Sequence, residues 1–146
     1  MEQPNVNPGM IGWWKKAVFN NYANFKGRAR RAEFWNFALA TLILFAVLFT
    51  LFIIGITAKI NFLTNIIAIL ESLAALALIV PIFSVSVRRL HDINKSGWNY
   101  FVTFIPFVGS IILLVWFFTE GNRGANQYGE DPKNLMEPAV VSGLNN

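Results

Sequence analysis

The 146-residue chain has no cysteine, one histidine and little charge of either sign. Without cysteine there is no disulfide, thiolate metal site or cysteine nucleophile, and the redox compartment is left undefined. With His91 as the single histidine, any divalent metal would have to rely on carboxylates and carbonyls. No glycine-rich nucleotide loop, acyl-transfer nucleophile motif or paired-carboxylate spacing occurs either. The sequence therefore predicts no catalytic residue, no cofactor, no metal and no enzyme. Charged residues make up 14% of the chain, against about 25% in a soluble domain. Much of its surface is not made for water.

What replaces charge is apolar bulk. Hydrophobic residues reach 55%, with 14 Phe and 5 Trp, a composition suited to lipid-facing helices with interfacial aromatic anchors. Residues 1–9 (MEQPNVNPG) read as a disordered leader, and the polar opening followed by Lys15 and Lys16 does not resemble a secretory signal. Over residues 10–23, Trp14, Ala17, Val18 and Tyr22 recur at helical spacing with lysines between them. That predicts an amphipathic helix in the headgroup layer, anchored by Trp13 and Trp14.

Three apolar runs follow, at about 34–58, 62–87 and 98–118. At about 1.5 Å per residue each is long enough to cross a hydrocarbon core of about 30 Å. The expected fold is all-α: three transmembrane helices preceded by the interfacial helix, forming one membrane domain over 10–118 with an irregular tail over 119–146. Arg88–Gly97 reads as a charged loop between the second and third runs. Nine basic residues flank the inner span ends in this scheme and three the outer. The positive-inside rule then puts the N-terminus and the Arg88 loop in the cytoplasm, and three spans put the tail outside. In a competing arrangement, Pro106 and Gly109 break the third run into a re-entrant hairpin and return the tail to the cytoplasm.

The stretches FKGRARRAEFW (25–35), RRLHDINKSGW (88–98) and GNRGANQYGEDP (121–132), in this order and separated by apolar runs, resemble the signature blocks of a bacterial inner-membrane family. It is the family of domain of unknown function 805, the YhaH-like proteins. The resemblance covers about residues 15–132 and implies a multi-pass protein of the bacterial inner (plasma) membrane. It supplies no substrate, cofactor or catalytic residue to carry over.

Two groups of polar residues stand out. Arg28, Arg30, Arg31 and Glu33 precede the first run, and Arg88, Arg89, His91 and Asp92 follow the second. The ordinary reading is a topology signal that meets lipid phosphates. The sharper one is a charge network between helices, with Arg30 and Glu33 sharing a helix face. His91 and Asp92 are adjacent, which does not by itself align them for base or metal chemistry, and a structural role in the turn is expected. The second group is Glu71, with Thr50 named as its neighbour across the hairpin; a charge mid-span costs about 2.5–3.5 kcal/mol. The leading expectation is a non-catalytic membrane protein acting through protein or anionic-lipid contacts at a basic cytoplasmic face. Homo-oligomers or a membrane-protein partner are expected, and no nucleic acid. The alternative is a small transporter or channel component using Glu71 and the arginine cluster.

Overall fold

The structure, a computed structural model, describes residues 8–133. Residues 1–7 of the expected leader and 134–146 of the expected tail lie outside the described residues. Among the described residues there are four α-helices: α1 (Gly9–Lys15), α2 (Arg31–Thr57), α3 (Asn61–Asp92) and α4 (Val108–Phe118). A π-helical turn, Lys16–Asn20, continues α1, and a 3-10 segment, Gly97–Phe104, precedes α4. Among the described residues there is no strand, only an isolated bridge between Asn126 and Gly129.

The long helices α2 and α3 form an antiparallel hairpin, with 27 and 32 residues, or about 40 and 48 Å. Only 11% of the most apolar 18-residue stretch of α2 and 17% of that of α3 is buried. The core helix of a soluble protein would be mostly covered, whereas these long apolar shafts leave most of their surface exposed. Both helices end in the same way. Lys59 and Asn94 take left-handed conformations, with φ 58° in each. Ile60 N–H bonds to Gly55 O and Lys59 N–H to Ile56 O; Lys95 N–H bonds to Leu90 O and Asn94 N–H to His91 O. These crossed bonds satisfy carbonyls that the last turn would otherwise leave unpaired.

Pro81 lies inside α3 and has no N–H to give to the carbonyl four residues earlier, that of Ala77. The hydroxyl of Tyr22 donates to that carbonyl at 2.8 Å. A residue from the turn after α1 thereby repairs the gap that the proline opens.

Three expectations are corrected. The charged segment expected as a loop from Arg88 is helical through Asp92, leaving only 93–96 as connection. Helix persists there because its charges are paired inside the protein and need no exit to water. Trp13, expected as a lipid anchor, is 1% exposed. It is held inside the fold because α1 packs on the start of α2, where Trp14 Nε1 donates to Thr41 Oγ1 at 3.3 Å.

The third correction concerns 98–118, which is not one helix. The 3-10 segment leaves the end of α3, turns at Ile105–Phe107, and α4 runs back to it. The turn places Phe107 at φ 62°, a left-handed conformation that costs a bulky residue energy. Gly109 permits the return, since a Cβ there would collide with the carbonyl of Val102. Contact of Phe34 with Phe117, their rings tilted by 40°, and stacking of Trp35 on Phe118, each pair with ring centroids 4.3 Å apart, fix α4 against the first turn of α2. The buried core, including Ala17, Ala29, Phe37, Val85, Leu90 and Leu113, sits at this one end of the hairpin.

Candidate functional site

The last turn and a half of α3 carries Arg88, Arg89, His91 and Asp92, all buried. A helix puts neighbours about 100° apart, so these four side chains fan out to different partners.

Asp92 receives two arginines, one on each oxygen: Arg28 Nε at 3.0 Å and Arg89 Nη1 at 2.7 Å. Glu33, in the first turn of α2, receives Arg88 Nη1 at 2.6 Å and Lys16 Nζ at 2.8 Å. Two carboxylates thus hold four cations from three parts of the chain. The guanidinium fork suits this, because its remaining N–H groups reach backbone carbonyls. Arg28 bonds to the carbonyls of Asn122, Gly124 and Gly129, and Arg89 to those of Phe117 and Thr119.

The described part of the tail is irregular, but it is not loose. Asn122 N–H bonds to Asp92 O at 2.8 Å, and Asn126 Nδ2 to His91 O at 2.9 Å. The first fills a carbonyl at the C-terminus of α3 that no later backbone N–H of the helix reaches, and the second adds a donor to a carbonyl that already accepts from Asn94 N–H. The ring of Tyr128 stacks on that of His91, with centroids 3.8 Å apart and planes parallel within 1°. His91 Nδ1 also lies 3.1 Å from Gly27 O. Gly121 rests against the Asp92 carboxylate, which any Cβ would displace. The polar turn is closed by Asp131, whose two oxygens accept from Gly124 N–H and Lys133 N–H. Farther out, Lys133 bonds to Glu120 at 2.8 Å. That bond, reinforced by the nearby Arg31, holds the Glu120 carboxyl below the usual carboxylate range.

The residues singled out in the sequence are therefore distributed unequally. Arg28, Glu33, Arg88, Arg89, His91 and Asp92 meet in one buried network. Arg31 remains near the surface, 3.6 Å from Glu120. Arg30 does not share a helical face with Glu33. It precedes α2 in extended backbone (φ −68°, ψ 159°) and lies over the ring of Trp13, 5.7 Å from its centroid. Glu71 is half-buried along α3, and the Thr50 hydroxyl donates within its own helix, to Ala46 O. The pairing of Lys16 with Glu33 and the contacts of the tail carbonyls are additions that sequence reasoning did not supply. The one signal for the tail was its signature block, which carried order along the chain but no spatial partner.

A hairpin of two lipid-length apolar helices, closed at one end by a buried ionic network, defines a small all-helical membrane protein. The chain belongs to the family described as protein of unknown function DUF805, which matches residues 22–130. It is 40% identical over 121 residues to the inner membrane protein YhaI of Escherichia coli K12, covering 82% of this chain and 95% of that protein. Inner membrane protein YhaH of the same strain is 37% identical over 134 residues, covering 86% and 98%. No solved structure matches the chain.

Proposed function

We propose that this is a non-catalytic, multi-pass inner-membrane protein that acts through a basic cytoplasmic face, holding anionic lipid headgroups and, through them or directly, an acidic partner. The observation that carries this reading is the segregation of charge. The shafts of α2 and α3 are apolar and exposed, while the ionic network and most basic residues gather at one end. Inner-membrane placement is taken from the names of the relatives.

In this reading α2 and α3 cross the bilayer and the 97–118 stretch enters it without crossing. Its arms, 8 residues of 3-10 helix and 11 of α-helix, are each about 16 Å long. That is about half of a 30 Å hydrocarbon core. A hairpin of this depth returns the tail to the side it left, and contact of the tail with Arg28 and Arg89 supports the cytoplasm for both. The transport reading has less support. The hollow beside Thr50 is otherwise lined by Ile43, Ala46, Val47 and Leu51, which offer a solute no polar contact but one hydroxyl.

The test is lipid retention. Extracted in mild detergent, the protein should carry anionic phospholipid in excess of its share in the membrane. Replacing Lys15, Lys26 and Arg30 together with glutamine should remove that excess. An unchanged lipid profile in this variant would defeat the proposal.

A further inference from the structure

Arg88 presents an unequal set of contacts. Its side chain is buried and Nη1 is held by Glu33, but Nε and Nη2 donate to no group among the described residues. Those two nitrogens are neighbours on the same edge of the guanidinium plane. It is the edge that makes side-on, bidentate contact with a carboxylate or phosphate. Leaving two charged donors buried and unbonded is costly. It stands out beside Arg28 and Arg89, whose three side-chain nitrogens each reach an acceptor.

The same side chain lines a cleft of about 460 Å³ between the end of α1, the segment leading to α2, and the Tyr128–Pro132 turn. Lys16, Lys26 and Arg30 also line it, with Glu33 and Glu130 as its carboxylates. Glu33 is already shared between Lys16 and Arg88, so that trio keeps one positive charge. Lys26 is exposed at the rim. Arg28 lines the cleft too but is held by Asp92; the cleft is cationic overall, and Arg88 is the lining cation whose bidentate edge meets no group among the described residues.

We propose that this cleft seats a single phosphate group, read side-on by Arg88 and drawn in by Lys26 and Arg30. The inference deepens the anionic-lipid reading above and rests on it for the membrane side. Nε and Nη2 are buried, so seating the group requires the lining side chains to shift. A phosphodiester headgroup and a soluble phosphate ester offer the same oxygens, and the experiment separates them.

The full chain, purified in mild detergent, is titrated with inorganic phosphate and separately with short-chain phosphatidylglycerol, reading the shift in unfolding temperature. Saturable stabilisation by the lipid alone identifies a headgroup seat, and stabilisation by inorganic phosphate as well identifies a seat for soluble phosphate. No shift with either overturns the proposal. Arg88→Lys keeps a charge for Glu33 but loses the bidentate edge, and should weaken binding about tenfold; undiminished affinity refutes the assignment. Should that variant fail to fold, Lys26→Gln serves, since its side chain is exposed, and unchanged binding there is equally fatal. Arg31→Gln, outside the cleft, should bind normally. If these titrations fail while anionic-lipid excess persists on purification, the seat is wrong and the broader function stands; if they succeed without the excess, the reverse holds.

Discussion

Replacing Asp92 with asparagine is the sharpest test of how the hairpin of the two long apolar helices is closed. Asn keeps the volume and one acceptor oxygen, but it removes the charge and turns the other oxygen into a donor that faces a guanidinium. Arg28 and Arg89 are both buried, and Asp92 is the one carboxylate within ion-pair distance of either among the described residues. Their remaining partners are neutral carbonyls. Removing one member of a buried pair costs about 3–5 kcal/mol, because the other charge is left uncompensated. That corresponds to about two to four decades in the folding equilibrium. The comparison is Glu120→Gln, which breaks pairs with Lys133 and Arg31, all three side chains being about half exposed. Exposed pairs of this kind contribute little to stability. Unfolding in mild detergent, followed by tryptophan fluorescence, should therefore show a large loss for Asp92→Asn and a small one for Glu120→Gln. Losses of equal size would mean that water reaches the network and that it does not close the bundle.

Tyr22→Phe removes the hydroxyl that serves the Ala77 carbonyl opposite Pro81, and should cost about 0.5–1.5 kcal/mol in the same assay; adding Pro81→Ala to Tyr22→Phe restores the missing backbone donor and should recover part of the loss. Glu120 gives a pH signature. Its carboxyl is held below the usual range in the folded chain, so the pairing contributes above the ordinary carboxylate pKa and is lost as pH falls through the lowered value. Hydrogen exchange of the 119–133 segment should thus be faster in Glu120→Gln than in the unaltered chain near neutrality, and the two should converge in strong acid.

The relation of sequence to structure differs between parts of this chain. Phe34–Ala58 has no charge and Phe62–Val87 has one, and runs of that length and composition have one stable outcome in lipid. The helices α2 and α3 were therefore determined locally, as was the all-helical class. The ends were less legible. Helix α3 passes its apolar run by five residues to Asp92, because the cost of burying four polar side chains is offset by partners that are remote in the chain. Pro106 and Gly109 mark an interruption, but a proline in lipid can kink a helix or end it. Here the turn is set by α4 packing Phe117 and Phe118 on Phe34 and Trp35. The charge pairs were the least legible of all. Local helical spacing pairs Arg30 with Glu33, whereas the folded chain brings Glu33 its cations from 17 and 55 residues away. Arg28 finds its acceptors 64 to 101 residues away. Composition decides which segments leave water, since hydrophobic transfer sums over a run regardless of what lies beyond it. Which buried charge meets which is decided only by tertiary structure, because an ion pair depends on a few ångströms between atoms that the sequence leaves far apart.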